Sequence, residues 1–172
     1  MKRIPLEIRI GDLLKSRNMK LVMAESCTGG LVGNLITNIP GSSDYYLGSV
    51  TAYAYEAKEA LLGVKHETLL AHGAVSRLTV LEMASGVRRS LAGGFPLESI
   101  IGVSISGIAG PGGGLPEKPV GTIWFGMSTP EGDYAWRKQF HGDRVQNKRS
   151  AARFALTLVI YYLLGRLPPE TL

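Results

Sequence analysis

An apolar run of strand length, Leu21-Val22-Met23-Ala24, breaks at Glu25-Ser26-Cys27-Thr28-Gly29-Gly30, and apolar positions resume at 31, 32, 35, 36 and 39. The second spacing is that of a helix face, so the segment is a strand, a polar glycine-closed corner and a helix in succession. The rest of the chain repeats the alternation. Leu6 to Arg17 places Leu6, Ile10, Leu13 and Leu14 on one side of an amphipathic helix, and Ser49 to Ala54 has strand composition. Glu56 to Leu62 is a short helix stopped by Gly63, and Ser76 caps a helix over about Leu78 to Leu91. Ser99 to Ser106 is apolar on both faces, as a buried strand is. Val120 to Met127 and Asp133 to Phe140 form a hairpin around Thr129-Pro130-Glu131-Gly132, and Arg144 to Leu164 is a long final helix. These elements predict an α/β fold: a layered α/β/α single domain with a mixed β-sheet, covering residues 1–172.

Composition narrows the classes. The tract from Ala151 to Leu164 is interrupted by Arg153 and Thr157 and is too short to span a membrane, so no membrane partner is expected. Met1-Lys2-Arg3 is followed by Pro5 and Glu7 instead of a signal-peptide core, and Cys27 is the one cysteine, which suits a reducing cytoplasm. The net charge of +5 concentrates in Arg137, Lys138, Arg144, Lys148, Arg149 and Arg153. That cluster fits a phosphate; no zinc spacing, RNP-like motif or helix-turn-helix accompanies it, so nucleic acid is not the expected partner. No spacing of Asp, Glu, His or Cys makes a metal site, and no cofactor is called for.

Three places can carry chemistry. In the corner at Ser26, unpaired backbone N–H groups opening a helix can hold an oxyanion or a phosphate; Ser and Thr also stand there as plain caps. Ser106-Gly107-Ile108-Ala109-Gly110-Pro111-Gly112-Gly113-Gly114 follows a strand, and its glycines admit a ligand to the backbone or make a plain surface loop. It has neither the Lys-Ser/Thr of a P-loop nor the dinucleotide fingerprint. Tyr53, Tyr55 and Lys58 lie at a strand-to-helix turn, with Tyr55 and Lys58 on one helix face.

Taken together, these sites resemble the family of the CinA C-terminal domain. The resemblance runs from about Leu13 to Leu164 on motifs in order: Ala24 to Gly30, Pro40-Gly41-Ser42-Ser43, Tyr55-Glu56-Ala57-Lys58, His72-Gly73-Ala74-Val75-Ser76, Ser106 to Pro111, Lys118-Pro119-Val120-Gly121-Thr122 and Gly142-Asp143-Arg144. It implies a metal-independent amidohydrolase that converts nicotinamide mononucleotide to nicotinate mononucleotide and ammonia through a Ser/Lys acyl-enzyme. By motif, Ser26 is the nucleophile, Lys58 its base and Tyr55 an assistant, with Ser43 the rival serine. Backbone N–H groups near Thr28, Gly29 and Gly30 supply the oxyanion donors, Arg144 the phosphate contact, and Ser106, Gly107 and Thr122 further pocket contacts. Cys27 packs the corner.

A lysine acts as a base only when neutral, which requires burial or neighbouring positive charge, the substrate's pyridinium included. None of His66, His72 and His141 completes a conventional triad. Full-length CinA proteins carry an additional N-terminal domain, so this chain is expected to correspond to the stand-alone enzyme. The apolar first and last helices suggest a homodimer or higher homo-oligomer. The competing reading is a non-catalytic nucleotide- or DNA-binding module linked to competence.

Overall fold

In the computed structural model, which describes residues 4–171, the alternating segments build one five-stranded sheet ordered β2-β1-β3-β4-β5. The strands are β1 (Lys20–Glu25), β2 (Tyr46–Thr51), β3 (Ile100–Gly107), β4 (Thr122–Ser128) and β5 (Asp133–Gln139). β1 runs parallel to both β2 and β3, whereas β3, β4 and β5 are antiparallel neighbours, which makes the sheet mixed as expected. The opening residues Met1-Lys2-Arg3, on which the signal-peptide reading rests, and Leu172 lie outside the described residues.

The central strands are buried on both faces, and alternation assigns each face its helices. Leu21, Met23, Ile101, Val103, Ile105, Ile123, Phe125 and Met127 share one core with Ile10 and Leu14 of α1 (Leu6–Ser16). Val32 and Ile36 of α2 (Leu31–Thr37) join it, as does the alanine- and leucine-rich face of α6 (Arg144–Leu163). Val22, Ala24 and Ile100 face the opposite layer, made by α3 (Tyr55–Leu62), α4 (His66–His72) and α5 (Arg77–Ser90). The result is α/β/α. The apolar faces of α1 and α6 are therefore covered by each other and the sheet within a single chain.

Helix α5 packs close against the sheet because Gly102 of β3 and Gly126 of β4 offer it no side chains and Ser104 only a small one. A Cβ on Gly102 would stand 2.4 Å from the Ala84 carbonyl oxygen, and one on Gly126 would stand 2.2 Å from that of Val80. Ser104 Oγ donates to the Val80 carbonyl at 2.5 Å, which ties the helix to the sheet.

Two segments depart from the sequence expectation. β2 spans Tyr46–Thr51, not Ser49 to Ala54, because its partner β1 ends at Glu25 and the chain leaves the sheet there. Val50, Thr51 and Tyr53 have strand composition, and composition alone does not locate the partner's end. α4 was not expected; it is a seven-residue helix capped by no side chain, so no local start signal marks it.

Candidate active site

Ser26 follows the last residue of β1 and is held from both sides by the backbone. Its N–H donates to the Ile105 carbonyl at 3.0 Å, continuing the β1–β3 ladder by one residue, and its carbonyl accepts the Gly29 N–H at 3.0 Å in a tight turn. The turn reaches α2 through Gly30 at φ 91°, a left-handed conformation that suits glycine. Ser26 as a whole is 7% exposed.

Glu25, fully buried beside it, explains why the corner is rigid. Gly30 and Val32 N–H donate to its Oε2 at 3.0 and 3.2 Å, and Gly33 N–H donates to Oε1 at 2.9 Å. One carboxylate thus satisfies the open N–H groups of α2 and neutralises the positive end of its dipole.

Lys58 comes from the first turn of α3, on the opposite layer, and is also fully buried. Its Nζ donates to Ser26 Oγ at 3.0 Å and to the carbonyls of Ala52 and Tyr53, each at 2.9 Å. Those carbonyls are available because β2 has already ended at Thr51. Burial lowers the Lys58 pKa from its ordinary value to about 8. A neutral amine has two N–H groups and one lone pair; the two carbonyls engage the N–H groups, and the lone pair then faces the Ser26 hydroxyl. Burial pushes the neighbouring Cys27 thiol up to about 12, so it stays protonated and fills the corner as a small apolar side chain.

The pair opens into a cavity of about 240 Å³ walled by the corner, Ala74-Val75, and the glycine loop after β3. Gly107 is placed to donate into it. Ile105 turns its carbonyl to the β1 edge and Ile108 donates its N–H to Thr122 on the β4 edge, so alternation turns Gly107 N–H to the β1 edge, just beyond the strand's end. Arg144, at the start of α6, also lines the cavity; it donates to the Gly110 carbonyl at 2.7 Å and to Tyr53 Oη at 3.0 Å. The α6 terminus itself is capped by Asp143, whose carboxylate accepts Gln146 N–H, so Arg144 acts through its side chain and the helix end adds nothing.

The expected residues divide accordingly. Ser26, Lys58, Ser106, Gly107 and Arg144 meet around one cavity. Ser106 Oγ is engaged, donating to the Ala74 carbonyl at 2.7 Å, and so holds the cavity wall in place. Gly29 and Gly30 spend their N–H groups on Ser26 and Glu25, and together with Thr28 they line a neighbouring cavity. Thr122 is buried with its hydroxyl on Gln139, away from the pair. Tyr55 Oη accepts the Ala74 N–H at 3.1 Å and does not reach Ser26 or Lys58; Tyr53 is the tyrosine that lines the cavity. Ser43 is exposed in a 3-10 turn (Ser42–Asp44) before β2, at the end of the sheet opposite to Ser26. His66 pairs with Glu59, and no histidine lines the cavity. Among the described residues no cluster of three or more His, Cys, Asp or Glu is arranged to hold a metal, and no helix is long and apolar enough to cross a membrane.

A three-layer α/β domain with a buried serine–lysine pair where two parallel strands end defines the class. The chain belongs to the CinA C-terminal domain family, whose model matches residues 4–163. It is 48% identical over 153 residues to a CinA-like protein of Salinibacter ruber, covering 89% of this chain and 36% of that protein. It thus spans about a third of the length of that relative. It is also 45% identical over 152 residues to the nicotinamide-nucleotide amidohydrolase PncC of Escherichia coli, covering 88% of each chain. The crystal structure of a CinA superfamily protein from Klebsiella pneumoniae superposes with a TM-score of 0.86 at 35% identity, over 93% of this chain and 96% of that one.

Proposed function

We propose that this protein is an amidohydrolase that converts nicotinamide mononucleotide to nicotinate mononucleotide and ammonia, with Ser26 as nucleophile and Lys58 as its base. The observation that carries the reading is the 3.0 Å hydrogen bond between two buried side chains, Lys58 and Ser26, at the wall of a cavity. The similarity to a protein named nicotinamide-nucleotide amidohydrolase, over nearly the full length of both chains, supports the choice of substrate. A binding module gains nothing from a buried amine held against a hydroxyl, so the nucleotide- or DNA-binding reading is not favoured.

In the proposed sequence neutral Lys58 takes the Ser26 proton as Oγ bonds to the carboxamide carbon, and the carbonyl π pair moves onto oxygen. Gly107 N–H stabilises that oxyanion, in place of the Gly29 and Gly30 donors expected from sequence. The Lys58 ammonium then passes its proton to the amide nitrogen, the C–N bond breaks, and ammonia leaves a Ser26 ester. Water, deprotonated by Lys58, attacks that ester; the C–Oγ bond breaks, Ser26 regains its proton and nicotinate mononucleotide is released. The substrate's pyridinium, once bound near Lys58, further favours the neutral amine. Arg144 holds the substrate's phosphate, and Tyr53 orients Arg144. Since Lys58 carries each proton transfer, the proposed sequence needs no metal ion.

The test is ammonia release from nicotinamide mononucleotide by the purified protein with chelator present, compared with a panel of other amides. Turnover of another amide with none of the mononucleotide would reject the substrate, and absence of any turnover would reject the enzyme. A single reduced cysteine fits a cytoplasmic location. A homo-oligomer remains our expectation, now resting on exposed Ile4 and Ile8 at the α1 end instead of the covered faces; light scattering tests it.

A further inference from the structure

Behind the catalytic corner lies a second cavity, of about 380 Å³. Ser26 and Cys27 face the first cavity, and Thr28, Gly29 and Gly30 face the second, so the tight turn at Ser26 is the partition between them. The far wall is α6, where Arg144 lines the first cavity and Lys148, one turn later, lines the second together with Arg149.

The charge of this cavity is one-sided. Two cations line it and no acid does. Glu25, three residues before Thr28, is turned under α2 onto three backbone N–H groups, and Asp143, two residues before Val145, caps α6 through Gln146 N–H. The ion pairs among the described residues are His66–Glu59 and Arg77–Glu170, so Lys148 and Arg149 have no acidic partner. Lys148 Nζ lies over Gly29, 3.6 Å from where a Cβ would stand. Beneath the same wall Thr28 is 1% exposed and its Oγ1 has no hydrogen-bond partner. A buried hydroxyl left unsatisfied is costly, and a bound acceptor removes that penalty.

We infer that the cavity bounded by Thr28, Lys148 and Arg149 is a binding site for a phosphate ester, separate from the catalytic cavity. Lys148 and Arg149 offer several charged N–H donors beside the unsatisfied Thr28 hydroxyl, which suits the several terminal oxygens of a phosphate. The α6 terminus is not the source of the attraction, because Asp143 already caps it. The phosphate has two possible sources: the substrate's own, reaching past the corner in place of its contact with Arg144, or that of a second phosphorylated molecule bound alongside while Arg144 keeps the substrate's. Only the first rests on the amidohydrolase reading.

Calorimetric titration with inorganic phosphate tests the site in the full chain, with circular dichroism as the check on folding. Wild-type protein binds phosphate, and Lys148→Ala/Arg149→Ala weakens binding by about tenfold or more, the size of one charge-assisted hydrogen bond. Thr28→Val weakens it severalfold. Arg153→Ala, which removes a charge from the same helix outside this cavity, leaves it unchanged. Absent binding, equal binding in the double variant, or an equal loss in Arg153→Ala overturns the site. If the mononucleotide displaces phosphate and its KM rises in the double variant, the substrate is the source; if phosphate binds equally with the mononucleotide present, a second ligand is. A wild-type protein that binds phosphate through these residues and releases no ammonia keeps the site and rejects the amidohydrolase.

Discussion

Lys58 Nζ and Ser26 Oγ lie 3.0 Å apart although 32 positions separate them in the chain, and each arrives from a different layer of the domain. The sheet edge between the layers brings them together: Ser26 stands at the end of β1, and Lys58 reaches over the end of β2 from α3. In the proposed mechanism the pair acts as one chemical unit, which sets the outcomes below.

Ser26→Ala and Lys58→Met each lower kcat for ammonia release by roughly a thousandfold or more, and the double variant is no slower than either single one, as for residues that act together. Ser43→Ala keeps wild-type turnover. Additive losses in the double variant, or loss in Ser43→Ala, would move the nucleophile elsewhere.

The rate depends on pH through Lys58. With a pKa of about 8, the amine is the minority form at pH 7, so kcat/KM rises nearly tenfold per pH unit below that value and levels off above it. Stability follows the same group. Because burial lowers the folded-state pKa, the unfolded chain binds more protons between about 8 and lysine's ordinary value. This residue's contribution to stability therefore increases with pH across that window and is flat below it. Denaturant titrations of wild type and Lys58→Met across the window check the sign.

Glu25→Ala leaves three N–H groups, two of them buried, without an acceptor and destabilises the protein by about 2 kcal/mol or more, with a fall in kcat as the corner loosens. Glu25→Gln keeps an acceptor and loses less on both counts. Equal effects of the two substitutions would show that the carboxylate does not hold the corner.

Gly126→Ala places a methyl 2.2 Å from the Val80 carbonyl oxygen and must push α5 from the sheet, at about 1–3 kcal/mol by thermal or denaturant unfolding. Gly112→Ala, with nothing within 4 Å of the added methyl, serves as the control.

Arg144→Ala raises the KM for the mononucleotide by about tenfold or more, while Arg144→Lys recovers part of it as a point charge without the fork. An unchanged KM would remove Arg144 from the substrate contacts.

Much of the architecture was legible because helices and strands here carry their own signals: Ser76 caps α5 as expected, and the hairpin turn at Thr129 to Gly132 closes on itself through Thr129 N–H and the Gly132 carbonyl. Ser26 and Lys58 could be named from motif order. What stayed hidden depended on partners distant in sequence. Whether Tyr53 or Tyr55 faces the cavity turns on where β2 ends, and β2 ends where β1 does. Nothing near Thr122 shows that Gln139 claims its hydroxyl. Gly29 and Gly30 are the exception, since their N–H groups go to nearby Ser26 and Glu25; there it is the closure of the turn that the sequence leaves open. A hydroxyl or N–H announces its capacity in the sequence; whether that capacity is already used is a property of the fold.

The carbonyls that orient Lys58 come from Ala52 and Tyr53, six and five positions before it, while the carboxylate that braces Ser26 comes from the residue next to it. The two supports are themselves joined, because Ala52 N–H donates to the Glu25 carbonyl at 2.9 Å. The amine and the hydroxyl are therefore registered to each other by the same sheet ladder that ends beside them, and the reach between them is set by the backbone before any substrate arrives.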